Sequence, residues 1–254
     1  MDIMSFIDKY LPRKKSKHSI IKTRNVVNND DNDLDLLGDK LSFDGIEAFN
    51  LLRTNLSFSF SDDKKCHIVG IVSPIPSTGK SLVSSNLAIS IAKANKKVLL
   101  IDADLRLPTI AKKMHLVQKP GLSNILISSE NPLEFIQRYN DMVDVIVAGN
   151  IPPKPSELLG SARMGEVLKM LSDRYDYIIV DLAPVTVVPD ALAVAKYLDG
   201  VILLLRKDYD KKTLVDEAIR QLKLSKTNIL GVVFNYGMSS HERYGKYKNY
   251  SSSN

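Results

Sequence analysis

Residues 67–86 read "HIVGIVSPIPSTGKSLVSSN" and decide the fold. An apolar run, "HIVGIVS", ends in a Pro/Ser/Gly loop. Gly-Lys-Ser then opens "KSLVSSNLAISIAKA", whose apolar spacing is helical. Strand, tight loop and helix, in that order, is the context that a phosphate-binding loop needs. Gly79 lets the backbone approach phosphates. Amides of the loop and the helix start, from Ser77 and Thr78 through Ser81 and Leu82, can donate to them. Lys80 is expected to reach the outer phosphates and the Ser81 hydroxyl to hold Mg²⁺. The loop departs from the common form twice, with Pro74 at the usual first glycine and Ser77 two residues before Gly-Lys.

Outward from this stretch the pattern stays regular. "KKVLLID", "MVDVIVAG", "YDYIIVD", "DGVILLLR" and "NILGVVFN" read as further strands. "IEAFNLLRTNLSF", "GSARMGEVLKMLSDR" and "KKTLVDEAIRQLKL" read as helices. Strands apolar on both faces, alternating with helices, predict an α/β fold: a mostly parallel sheet with helices on both faces, of the P-loop NTPase type. Ligands in such folds bind beyond the carboxyl ends of the strands.

Acidic residues fall at those ends. "KVLLIDADLR" closes with Asp102 and Asp104, followed by Arg106, and "YDYIIVDLAP" with Asp181. Any one of them could be a turn or cap residue. Three at strand ends beside Gly-Lys-Ser would crowd negative charge against a triphosphate, which calls for a cation between them. The expected site therefore uses ATP and Mg²⁺. Adenine is inferred by default, because no Asn-Lys-x-Asp guanine-reading motif occurs.

Composition narrows the remaining classes. A 44% hydrophobic fraction with 25% charged residues suits a globular core. The single cysteine, Cys66, excludes a disulfide framework. No apolar run approaches a membrane span, and "MDIMSFIDKYLPRKKSKHS" lacks signal-peptide features, so a cytosolic protein is expected. A net charge of +6 permits contact with phosphates or anionic lipid, but no basic recognition element points to nucleic acid. Residues 1–43 read as an extension and linker, with Ile3, Phe6, Ile7, Tyr10 and Leu11 at helical spacing beside a basic cluster. Residues 44–235 read as the nucleotide domain and 236–254 as a flexible tail. That tail carries Tyr244, Tyr247 and Tyr250 three apart among Gly, Lys, Asn and Ser, with Tyr236 at its start.

The assembled motifs resemble the bacterial tyrosine autokinases that control capsule and exopolysaccharide synthesis. The resemblance runs from about Glu47 to the end, through "EAFNLLRTNL", "SPIPSTGKS", "VLLIDADLRLPTI", "GLSNIL", "AGNIPPKPSELLGSARM", "YIIVDLAPV" and the tyrosine tail. It implies that Lys80 polarises the phosphates, that Ser81, Asp102 and Asp181 organise the metal, and that Asp104 or Asp102 accepts the tyrosine proton. It implies autophosphorylation between subunits at Tyr244, Tyr247, Tyr250 and Tyr236. It also implies a homo-oligomeric ring, a transmembrane activator and chain-length regulator acting through its cytoplasmic segment, and a cognate tyrosine phosphatase. The expected location is cytoplasmic, peripheral at the inner face of the membrane through that partner. The ring-forming helix of the family typically reads Glu-x-x-Arg-x-x-Arg; here Glu47 and Arg53 flank Asn50. Two alternatives share the nucleotide core: an ATPase positioning switch of the cell-division-site and plasmid-partition type, and a non-catalytic assembly partner. The first usually carries an extra lysine where this chain has Ile75, and lacks a tyrosine tail.

Overall fold

The computed structural model describes residues 37–60, 64–206 and 209–235. The N-terminal extension through residue 36 and the tyrosines Tyr236, Tyr244, Tyr247 and Tyr250 lie outside the described residues.

Seven strands form one sheet in the order β3-β4-β2-β5-β1-β6-β7: β1 (His67–Val72), β2 (Val98–Asp102), β3 (Gln137–Tyr139), β4 (Val143–Ile146), β5 (Tyr177–Asp181), β6 (Gly200–Arg206) and β7 (Ile229–Asn235). Every neighbouring pair is parallel except β3 with β4. The six apolar runs of the sequence are the six parallel strands. β3 is an antiparallel edge whose "QRY" carries no apolar run, so hydropathy gives it no signal.

Alternation along each strand builds two cores. Ile68, Val72, Leu99, Ile101, Ile178, Val180, Leu203 and Leu205 face one side. There they pack on α6 (Ala162–Ser172) and α8 (Lys212–Leu224), through Met164, Val167, Leu168, Leu171, Val215, Ala218, Ile219 and Leu222. Those helical positions recur every three or four residues, the stripe that a surface helix buries. Val69, Ile71, Val98, Leu100, Ile179, Ile202 and Leu204 face the other side, against α2 (Lys80–Lys93). Ten of the fourteen residues of α2 are buried because α1 (Phe43–Ser57) covers its outer surface. Such a helix needs small and apolar residues all round, and "KSLVSSNLAISIAK" supplies them.

Contacts between α1 and α2 involve the residues that the resemblance assigns to subunit contacts. Asn50 donates to Glu47 (3.0 Å) and accepts from Ser90 Oγ (3.2 Å); Arg53 donates to the Ser90 carbonyl (2.6 Å). In this single chain the trio ties α1 to the nucleotide-loop helix. Smaller helices fill the connections: α3 (Ile110–Lys113), α4 (Leu122–Ile127), α5 (Pro155–Leu159) and α7 (Asp190–Ala195).

At the start of α4, backbones meet so closely that only glycine fits. A Cβ on Gly121 would stand 2.1 Å from the Val147 carbonyl oxygen and 2.6 Å from the Gly149 nitrogen. Gly121→Ala is expected to destabilise the fold by about 2–3 kcal/mol, read by denaturant titration. Unchanged stability would mean that these segments separate without loss.

Candidate functional site

Because every strand but β3 runs the same way, the carboxyl ends of β1, β2, β5 and β6 open onto one crevice. The loop between β1 and α2 forms its floor. Gly79 has φ +90°, in the left-handed region, and Ser77 has φ +59°. Glycine adopts that region without penalty, whereas a β-carbon makes it costly. The glycine missing from the motif at position 77 is therefore missing at a place whose backbone still asks for one. Ser77→Gly is expected to leave the loop's shape unchanged and to stabilise the protein by less than about 1 kcal/mol in thermal melts. A clear loss of stability would show that the Ser77 side chain holds the loop.

Side chains from other elements hold the loop's carbonyls. Arg206, the last residue of β6, donates to Ser77 O (3.0 Å), and Asn235, the last of β7, donates to Thr78 O (2.8 Å). Thr186 Oγ1 donates to Pro74 O (2.7 Å), and the Val185 amide to Ser73 O (2.9 Å). With these carbonyls already paired, the loop's amides are the groups left to meet an anion. The sequence reading missed Arg206, Asn235 and Thr186. A polar residue closing each otherwise apolar strand, as in "GVILLLR" and "ILGVVFN", is the signal that marks two of them.

In front of the loop lies a cavity of about 400 Å³, whose walls include Lys80, Ser81, Asp104, Arg106 and Arg206. Lys80 is the first residue of α2 and is buried. Ser81 Oγ donates to Asp181 Oδ2 (2.5 Å), and Ser84 Oγ, one turn later, to Asp181 Oδ1 (3.1 Å). Thr78, in the loop itself, is fully buried with no hydrogen-bond partner for its hydroxyl.

All three aspartates converge here, but in different ways. Asp102 and Asp181 are register partners at the ends of adjacent strands and are both fully buried. Asp102 also does structural work: its two oxygens accept the amides of Asp104 (3.3 Å) and of Ile110 (3.1 Å), the first residue of α3. Asp104 is the aspartate that lines the cavity, with Oδ1 accepting from the Leu107 amide (3.1 Å).

Burial, followed by the charge of Asp181, pushes the Asp102 carboxyl well above its ordinary value. Burial also raises Asp104, against the Leu107 amide and Lys80. Burial pushes Asp181 up from 3.8 to about 6, opposed by Lys80 and by the Ser81 and Ser84 hydroxyls. A carboxyl whose pKa is higher in the folded state stabilises the fold while protonated. For Asp181 that contribution is full below about 3.8 and is lost as pH rises through about 6. Between about pH 4 and pH 7 the protein should lose stability as this buried pair of carboxyls ionises, and Asp181→Asn should flatten that slope. Denaturant titrations of both proteins across this range measure the difference. Parallel curves would refute it.

A Gly-Lys-Ser loop at the switch from strand to helix, with acids at the neighbouring strand ends, is the arrangement of a P-loop NTPase-like fold. A family model described as an AAA domain matches residues 76–211. The chain is 36% identical over 203 residues to the tyrosine-protein kinase YwqD of Bacillus subtilis, covering 79% of this chain and 85% of that protein. It is 37% identical over 214 residues to a putative tyrosine-protein kinase, EpsB, of Ralstonia solanacearum, covering 80% of this chain and 28% of that protein. The solved kinase domain of the Escherichia coli tyrosine kinase ETK superposes with a TM-score of 0.74 at 30% identity, covering 91% of this chain and 86% of that one. The chain belongs to the bacterial tyrosine-protein kinase family.

Proposed function

We propose that the chain transfers the terminal phosphoryl group of ATP to tyrosine hydroxyls, those of its own C-terminal tail on a neighbouring copy among them, and thereby regulates capsule or exopolysaccharide synthesis. One observation carries this reading: Lys80 and the Asp104 carboxylate line the same cavity in front of the phosphate loop. A lysine for the donor and a base for the acceptor thus share one space.

Phosphoryl transfer depends on positioning and on charge stabilisation of a loose transition state. The amides from Ser77 to Leu82 bind the phosphates, with Arg206, Asn235 and Thr186 holding the loop's carbonyls. Lys80 lies against the outer phosphates and draws charge toward the leaving oxygen. Asp104 takes the phenolic proton. Asp104 lines the cavity, whereas Asp102 does not and its oxygens hold the β2–α3 turn together. A phenol of ordinary pKa near 10 needs only a positioned carboxylate to lose its proton as the new bond forms.

The donor set also fits Mg²⁺. Asp102 and Asp181 are buried carboxyls in adjacent register whose ionisation a divalent cation would favour, and the Ser81 hydroxyl completes a hard-oxygen face. Ser81, Asp102 and Asp181 would hold the ion, which supplies neutralisation of phosphate charge when bound. Among the described residues no cluster of three His, Cys, Asp or Glu side chains forms a metal cage. Mg²⁺ ordinarily takes one or two carboxylates and completes its shell with water and substrate phosphates.

A transmembrane activator and a ring of copies belong to the same proposal. Among the described residues no helix is long and apolar enough to cross a membrane. The tail residues Arg243, Lys246 and Lys248 make that segment basic, and each phosphorylation adds about −1.5 to −2 charges, so several would reverse its sign and favour disassembly.

Mixing two variants tests transfer between copies. One chain keeps Lys80 but has Tyr236, Tyr244, Tyr247 and Tyr250 changed to Phe; the other carries Lys80→Met and an intact tail. Phosphotyrosine on the second chain supports the proposal. Phosphotyrosine found only when Lys80 and the tail share one chain refutes transfer between copies.

A further inference from the structure

Arg106 stands outside the phosphate loop yet lines the same cavity. Its Nε donates to Asp190 Oδ2 (2.8 Å) and its Nη2 to Asp190 Oδ1 (3.1 Å), a two-pronged pair. The Asp190 side chain is 1% exposed and that of Arg106 is 40% exposed. A buried carboxylate thus grips the rear of a guanidinium whose front reaches the cavity. Of the five N–H donors of arginine, the pair uses two. Solvent at the 40% exposed arginine screens the pair on that side. A buried acid at the first residue of α7 that fixes a cavity-lining arginine is better explained by positioning.

The neighbours on this wall indicate what it receives. Asp104, two residues earlier, is the proposed base. Leu107 and Val187 line the same cavity and are 70% and 57% exposed. A carboxylate, a guanidinium and two exposed apolar side chains together match a phenol ring whose oxygen is gaining a phosphoryl group.

Building on the kinase reading above, we propose that this wall is the acceptor subsite for a tyrosine side chain, with Arg106 contacting the phosphoryl group in transit and Asp190 as its positioning residue. During transfer the bond from phosphorus to the nucleotide's bridging oxygen breaks, and that oxygen keeps the electron pair. The bond from phosphorus to the tyrosine oxygen forms, and the phenolic proton passes to Asp104. Arg106 binds the equatorial oxygens, where charge is spread in the transition state. Two parallel N–H bonds to Asp190 hold it with geometry that a lysine at this position cannot reproduce.

The test uses full-length chains in an extract of cells containing their natural partners, with the Lys80→Met chain as acceptor. Arg106→Lys and Asp190→Asn are each expected to lower the rate constant for transfer about 100-fold while nucleotide affinity stays within about threefold. The double variant should be no slower than the slower single one, because the two residues act as a unit. Leu107→Ser should raise the KM for the acceptor chain and leave nucleotide affinity unchanged. Arg106→Lys with full transfer overturns the proposal, and so does a double variant whose losses multiply. Should Asp190→Asn fail to fold, Arg106→Lys decides alone, since Arg106 is partly exposed. Failure of the natural chain to transfer at all would instead remove the kinase reading, and this proposal with it.

Discussion

Lys80→Met is expected to abolish tyrosine phosphorylation, lowering transfer by about 1,000-fold or more, while the protein stays folded. Lys80 sits at the first turn of α2, buried beside the cavity, and its positive charge bears on both Asp104 and Asp181. Methionine keeps the length and the apolar stem but removes the charge, so helix packing survives and stabilisation of the migrating phosphoryl does not. Loss of activity together with a native circular-dichroism spectrum is the expected pair of results. Substantial transfer by Lys80→Met would mean that the cation acts from elsewhere, and the cavity in front of the loop would lose its assignment.

Asp104→Asn should lower transfer by about 100- to 10,000-fold, the range that a positioned base contributes, with little change in stability. The Asp104 carboxyl accepts the amides of Leu107 and Arg106, asparagine keeps one acceptor oxygen for them, and a carboxyl raised by burial gains little from staying charged. Asp102→Asn should behave differently. Each Asp102 oxygen accepts a backbone amide, and an asparagine amide nitrogen cannot accept one. That variant should lose about 1–3 kcal/mol of stability along with activity. Comparing the two by transfer rate and denaturant midpoint separates base from scaffold. The opposite pattern, an inactive but stable Asp102→Asn beside a fully active Asp104→Asn, would exchange the roles.

The two carboxylates also show where reading the sequence stopped. The apolar runs of β1, β2, β4, β5, β6 and β7 are continuous because both faces of a parallel sheet are covered, so hydropathy alone finds them. β3 has one short polar run, and α3, α4, α5 and α7 are too brief to show a period. The turn from β1 into α2 was legible from Gly79, Lys80 and Ser81, because that pattern is local. The residues that brace it, Arg206, Asn235 and Thr186, come from 112 or more positions away and meet it only after the sheet forms. Asp102 and Asp104 look alike in "IDADLR"; only the amides of Asp104 and Ile110 mark the first as the one that organises the turn. The Arg106–Asp190 pair spans 84 positions and leaves no local pattern at all.

Asn50 shows a different limit. In the sequence it interrupts a pattern of charged residues, and the resemblance gives it meaning only as a departure. In the folded chain it bridges Glu47 and Ser90, a neutral link between α1 and α2 that a motif comparison does not describe.

Phosphopeptide mass spectrometry of residues 236–254 from native cells, comparing the natural chain with Lys80→Met, addresses the proposal most directly. Working in cells keeps any activating partner present. The expected result is phosphotyrosine at Tyr244, Tyr247 or Tyr250 in the natural chain and none in Lys80→Met. A tail unmodified in both, with polysaccharide output still dependent on Lys80, would show that the nucleotide site works as a switch rather than as a kinase acting on this tail.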